Sequence, residues 1–231
     1  CKEAVMWKHL EHPNIVPLLG VTITPLQLIS TWMPGGNLPE YIKTHPDADQ
    51  LQFVGVLPLC SPHAYLSHQL SDVTKGLCYL HSYNAIHGDI KGLNILVDDS
   101  GHACISDFGL ATITKDVGST QNTSYHHDLA LRWTAPEVLN EGTYSKAADV
   151  FSFAMLMIEV CHGCPIARGT SSFMAILAIM QGKRPPRPVH PAVTEDLWKF
   201  MQRCWDHDPH SRPEISEVLQ TLLTSSVSHS S

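Results

Sequence analysis

The chain has 231 residues, 43% of them hydrophobic and 16% charged, which is enough apolar material for a sizeable core and far from the composition of a disordered segment. With 15 Lys and Arg against 22 Asp and Glu, the formal net charge of −7 argues against a broad basic face for nucleic acid or an anionic membrane surface. The most continuous apolar stretch, residues 151–161, is interrupted by Ser152 and Glu159 and falls short of the ~20 residues a bilayer crossing needs, so it reads as a buried helix.

No apolar leader opens the sequence, because Cys1-Lys2-Glu3 runs into an amphipathic stretch; the expectation is an intracellular, cytoplasmic protein. Residues 2–11 place Val5, Met6 and Leu10 on one face of a first helix. His12-Pro13-Asn14 ends it, since proline disfavours α geometry in the residue before it. Two apolar runs, 15–21 and 26–31, joined by a Thr-Pro turn and closed by Pro34-Gly35-Gly36, predict a strand pair. From Asn37 the signals become mostly helical, and Val73, Leu77 and Leu80 describe a buried helix over 70–82. Ile95-Leu96-Val97 and Ala103-Cys104-Ile105 flank Asp98-Asp99-Ser100-Gly101, which is hairpin chemistry. Polar residues dominate 112–128, predicting a mobile loop. Residues 146–162, 171–181, 194–205 and 213–223 carry helical periodicity, and the Ser-rich 224–231 reads as a frayed, disordered tail. A little β followed by much α places the chain in the α+β class.

The seven cysteines are odd in number and scattered, which predicts free thiols in a reducing compartment. Cys161-His162-Gly163-Cys164 has CxxC spacing but no second pair, and reads as the glycine-stopped end of a helix. His126-His127 reads as a solvated loop pair.

The densest polar cluster is His87-Gly88-Asp89-Ile90-Lys91-Gly92-Leu93-Asn94, wedged between a buried helix and a buried strand, with Ser106-Asp107-Phe108-Gly109 ending the next strand. Asp89, Asn94 and Asp107 bring carbonyl-bearing side chains and Lys91 brings a cation to neighbouring strand ends, so a hard cation with oxygen ligands fits between Asn94 and Asp107. Phosphoryl transfer needs such a set: its barrier falls through positioning, charge neutralisation and a carboxylate that orients the attacking hydroxyl.

On these residues the chain resembles the eukaryotic protein kinase family, nearest the tyrosine-kinase-like serine/threonine kinases. The motifs stand in family order, continuing with Ala135-Pro136-Glu137, Asp149 in Ala148-Asp149-Val150-Phe151-Ser152-Phe153, and Arg212 in Asp208-Pro209-His210-Ser211-Arg212-Pro213. The resemblance implies a protein-kinase-like fold: a small, partial β-containing N-lobe over 1–33, its hinge near Met33, and a mainly helical C-lobe over 34–223. It implies ATP and Mg²⁺ as cofactors and a protein substrate with Ser or Thr, with no nucleic acid and no membrane. Asp89 matches the catalytic base, Lys91 the lysine that marks serine/threonine specificity, and Asn94 and Asp107 the metal ligands. Met33 and Leu96 would line the nucleotide site together with Lys91, Asn94 and Asp107. The structural roles implied are an ion pair between Glu137 and Arg212, a brace on the catalytic loop from Asp149, and a stack of Trp7, Leu18, His87 and Phe108 linking the lobes.

The sequence departs from the family pattern in three places. A glycine-rich loop and a strand lysine are not among these residues, while Glu3 matches the helix glutamate that pairs with that lysine; the expectation is an N-terminally truncated piece, weak or inactive alone. Gly88 stands where many kinases have the arginine that receives a phosphorylated activation loop, so control by that modification is not expected. Residues 54–69 interrupt a helical pattern that is restored when Phe53 is joined to Leu70. This segment is either a surface insertion or 16 codons of retained intron. Two functions follow: an ATP-dependent protein serine/threonine kinase, for which the intact Asp89, Lys91, Asn94 and Asp107 speak, or a pseudokinase or scaffold-type binding module. A metal-dependent hydrolase would leave Glu137, Asp149 and Arg212 unexplained.

Overall fold

The computed structural model describes residues 2–45, 62–113, 131–162, 171–189 and 193–227. The chain opens with helix α1 (Lys2–Trp7), shorter than the expected 2–11. Leu10 is buried and Met6 half-buried as its periodicity requires, but Val5 faces solvent. Strands β1 (Leu18–Ile23) and β2 (Leu26–Ser30) pair antiparallel around Thr24-Pro25. β1 begins later than its apolar run because Ile15 and Val16 turn to the other half of the molecule: Ile15 bridges Ile105, and the Val16 N–H donates to the Ile105 carbonyl at 2.9 Å. One side of the β1–β2 ribbon shows Leu19, Val21, Ile23 and Leu26 to solvent, with Ile23 87% exposed, and Ile29 is exposed on the other side.

Asn37 caps α2 (Leu38–Thr44) by accepting the Glu40 N–H at 3.0 Å. Helix α3 (Pro62–Ser82) is longer than the sequence pattern at 70–82, and it runs without a break from the 54–69 segment into that pattern. Its Leu70, Val73, Leu77 and Leu80 are buried, but Gln69 is 1% exposed and neither atom of its amide finds a hydrogen-bond partner among the described residues. Strand β3 (Ala85–Ile86) follows, then a 3₁₀ turn (Gly92–Asn94), β4 (Ile95–Val97) and β5 (Ala103–Ile105), the last two forming the expected antiparallel hairpin. β6 (Thr112–Ile113) pairs with β3, so the first two residues of the expected loop are a strand held by a distant partner. The rest of that loop, including His126-His127, lies outside the described residues.

The helical half continues with α4 (Pro136–Glu141), α5 (Lys146–His162), α6 (Ser172–Met180), α7 (Glu195–Cys204) and α8 (Ile215–Val227). Ser171 and Thr194 cap α6 and α7 through their hydroxyls, and α8 runs on past the expected end at Leu223. α5 is the centre of this half: Val150, Phe151 and the run from Phe153 to Ile158 are all buried, the pattern of a helix surrounded by others. Cys78, Cys104, Cys161 and Cys204 are free thiols, while Cys164 lies outside the described residues. The architecture is helix-rich α+β with three two-stranded sheets among the described residues, none of whose helices is long and apolar enough to cross a membrane.

Candidate active site

The loop from His87 to Lys91 connects β3 to the 3₁₀ turn, and its shape is set from beneath by α5. Asp149, in the first turn of that helix and fully enclosed, accepts the backbone N–H groups of His87 and Gly88 at 2.9 Å each and contacts His81 Nε2 at 2.9 Å. A carboxylate with three donors around it fixes the loop at its start. Gly88 has φ +81°, and a Cβ there would meet the Tyr144 ring at 3.0 Å, so a larger residue at this position is strained and crowds Tyr144. Further along, Glu159 of α5 accepts the Gly92 N–H at 2.8 Å and the Trp133 indole N–H at 2.9 Å on one oxygen. Burial raises the Glu159 carboxyl above its ordinary value, opposed by those two hydrogen bonds and the Lys91 charge. Gly92 is required by close approach, since a Cβ would lie 2.7 Å from Pro39 and 2.8 Å from Glu159. Glu159 has no role assigned from the sequence; its signal is a carboxylate in the apolar, buried second half of α5, ten residues after Asp149.

Inside this frame three predicted residues come together. Lys91 Nζ donates to Asp89 Oδ2 at 2.5 Å, and Asn94 Nδ2 donates to the same oxygen at 2.9 Å and to the Asp89 carbonyl at 2.8 Å. Both donations hold Asp89 by Oδ2; among the described residues Oδ1 takes no donor. Asn94 spends its amide nitrogen on Asp89, so its carbonyl oxygen, the atom a hard cation takes, makes no hydrogen bond among the described residues. Asp107 follows β5 by two residues in a left-handed conformation (φ 59°) that keeps it exposed. The buried Asn94 just before β4 and the exposed Asp107 just after β5 stand at adjacent strand ends and bring the oxygen donors that Mg²⁺ takes.

Phe108 is buried between Trp7 and His87, with ring centroids 5.2 Å from each, while Leu18 packs against the same core. His87 accepts the Asp89 N–H on Nδ1 at 3.2 Å and meets the Ser106 carbonyl through Nε2 at 2.9 Å, the tautomer being assigned from these partners. Both ring nitrogens of His87 are thus engaged by the backbone around the loop. The hinge segment pairs with β4: the Gly35 N–H donates to the Val97 carbonyl at 3.0 Å, and Asn37 bridges Leu96. Met33 is buried and Leu96 half-buried on these adjoining segments. Beside the first turn of α5, where Arg212 also donates to the Ala147 carbonyl at 3.0 Å, Arg212 and Glu137 form a two-pronged ion pair at 2.6 and 2.8 Å. Glu3 lies on α1, but its side chain is outside the described residues.

Residues 1–222 match the model of the family described as protein tyrosine and serine/threonine kinase. The chain is similar to the tyrosine-protein kinase Fer of Homo sapiens, 33% identical over 225 residues that cover 96% of this chain and 25% of that protein. It is also similar to the serine/threonine-protein kinase STY46 of Arabidopsis thaliana, 30% identical over 227 residues, 96% of this chain and 36% of that protein. Protein-tyrosine kinase 6 of Mus musculus is 33% identical over 218 residues, 93% of this chain and 45% of that protein. The chain thus spans between a quarter and under a half of the length of these relatives, which include kinases of both hydroxyl specificities.

Proposed function

The chain belongs to the protein tyrosine and serine/threonine kinase family, and we propose that it is part of a protein kinase that moves the γ-phosphoryl group of ATP to serine or threonine hydroxyls of protein substrates. In this reading residues 1–33 belong to the N-lobe and 34–223 form the C-lobe, with Met33 and Leu96 against the nucleotide base. The observation that carries the proposal is the contact set around Asp89: two donors pin Oδ2 and leave Oδ1 to receive a substrate hydroxyl.

The step follows from that placement. The substrate O–H turns toward Asp89 Oδ1, its oxygen forms a bond to the γ-phosphorus, and the bond to the bridging oxygen of ADP breaks with its electron pair leaving on ADP. The hydroxyl proton passes to Asp89. Lys91, two residues along the same loop, offers its ammonium to the transferring phosphoryl oxygens while it steadies the carboxylate. Asn94 and Asp107 are the residues that would hold Mg²⁺, which when bound neutralises charge on the phosphate oxygens. Lys91 beside Asp89 supports serine or threonine over tyrosine, because by resemblance this lysine marks that specificity. Gly88 supports activity that does not wait for a phosphorylated activation segment, since no arginine stands there to receive one.

The glycine-rich loop and strand lysine are not among these 231 residues, so covering of the adenine and phosphates is proposed for the whole protein rather than for this chain. The second reading is a pseudokinase or scaffold-type binding module. Phosphoamino-acid analysis of a mixed protein substrate labelled from ATP by the full-length product separates the readings. Phosphoserine and phosphothreonine are expected; phosphotyrosine alone would overturn the specificity, and no transfer would leave the binding module.

A further inference from the structure

Outside the catalytic loop, the described residues contain one cluster of three groups able to ligate a metal: His68, Asp72 and His102, whose ligand atoms all lie within 4.8 Å of one another. His68 and Asp72 stand one turn apart on α3, which puts both on one face of the helix. His102 comes from the turn that joins β4 to β5, at the opposite end of the hairpin from Asn94 and Asp107. The geometry points to a binding site for a divalent transition-metal ion of the imidazole-preferring class, with zinc as its natural occupant, held by these three side chains.

The spacings carry the assignment. His68 Nδ1 lies 3.4 Å and His102 Nδ1 3.1 Å from the same oxygen, Asp72 Oδ2. Ligands bound at ~2.0–2.1 Å in tetrahedral geometry sit about 3.3 Å apart, so two of the three edges of a ligand triangle are already at the required length. The imidazoles are tilted 44° to one another with centroids 4.9 Å apart, their ligand atoms lie within 4.8 Å, and both rings are half exposed, 49% and 48%, so the third edge is free to close by ring rotation. Two imidazoles and one carboxylate with a side open to water form an N₂O set, which favours zinc-like ions over Mg²⁺ or Ca²⁺.

The carboxylate is held from behind, as metal-ligating carboxylates are. Asp72 is buried, its Oδ1 accepts from Lys75 Nζ at 3.0 Å, and the Ala103 N–H approaches Oδ2 at 3.4 Å. Lys75 occupies the other oxygen and is itself 41% exposed, so it steadies the carboxylate without filling the metal position. An ion here would tie α3 to the hairpin turn. Because His68 belongs to residues 54–69, and joining Phe53 to Leu70 would put Gln52 in its place, the site exists only in chains that carry that segment.

The test is titration of the chelator-stripped 231-residue chain with Zn²⁺ by calorimetry and with Co²⁺ by absorption, beside His68→Gln and His102→Gln. Both rings are half exposed, so the variants keep the fold, which circular dichroism verifies. One equivalent of Zn²⁺ is expected, with a Co²⁺ spectrum free of thiolate charge transfer and a loss of about tenfold or more in affinity for each variant. No binding, binding that survives both substitutions, or a thiolate band would each overturn the assignment.

Discussion

Replacing Arg212 by alanine probes how the helical half is closed. The Arg212 side chain is 0% exposed; its guanidinium meets Glu137 at 2.6 and 2.8 Å and donates to the carbonyls of Asp206 at 2.9 Å and Ala147 at 3.0 Å. It lies 5.0 Å from the centroid of the Phe151 ring, which Arg184 also approaches at 5.1 Å. Burial, and next the Arg212 charge, lower the Arg184 pKa, opposed by the carboxylates of Asp206 and Glu137, so two crowded cations share the negative charge around Phe151. Truncation leaves a mostly buried carboxylate, 12% exposed, and the carbonyls of Asp206 and Ala147 without this donor, which costs up to about 3–5 kcal/mol. For a domain of this size each kcal/mol lowers Tm by about 2–4 °C, so Arg212→Ala should melt about 6–20 °C lower by differential scanning calorimetry. The same reasoning requires the double variant Glu137→Leu/Arg212→Met to recover most of that loss, because two apolar groups replace a desolvated pair. A drop below about 3 °C for the single variant, or no recovery in the double, would refute it.

Three further outcomes are expected. The folded Glu159 carboxyl is raised above 4.5 by burial, so its contribution to stability is present below that pH and is lost as pH climbs through the raised value. The Tm of Glu159→Gln relative to the parent should therefore rise between acid and neutral pH, and a difference that stays flat or falls contradicts the burial argument. Burial pushes the Cys104 and Cys204 thiols to about 12 from 9.0, three pH units, so alkylation at pH 8 should run about a thousandfold slower than for an open thiol; rapid labelling of either in the folded chain contradicts this. Deleting residues 54–69 puts Phe53 where Gln69 now buries an amide without partners among the described residues. Removing a penalty of about 1–3 kcal/mol should raise Tm by about 2–12 °C. A lower Tm would argue that the segment is an integral insertion, and a tryptic peptide spanning it from the native source would refute the retained-intron proposal.

What could be read in the sequence divides along the range of the forces involved. The hairpin β4–β5, the buried stripe of α3 and the whole of α5 rest on local periodicity and turn chemistry, and each stands where the pattern put it. β1 starts late because Ile15 is claimed by β5, some ninety residues away, and Thr112-Ile113 form a strand only because Ala85-Ile86 lie beside them. No local window holds that information. The exposed Val5 and the apolar outer side of β1–β2 have an amphipathic pattern without a partner among the described residues. In the site, Asp89, Lys91 and Asn94 fall within six residues and announce themselves by polarity amid apolar flanks. Asp149, Glu137 and Arg212 act across 61 to 75 positions and could be placed only through the family's motif order. Glu159 offered a readable signal, a charge in a buried helix, as did the His68–Asp72 spacing, whereas His102 had none until the hairpin was folded.

The most direct test is single-turnover phosphate transfer from ATP to serine- and threonine-containing protein substrate by the full-length product, comparing the parent with Asp89→Asn. The substitution removes the proton acceptor while keeping an oxygen for Lys91. ATP affinity should be unchanged and the transfer rate about 10²–10⁴-fold lower. Transfer at the parental rate by Asp89→Asn would contradict the account at its centre.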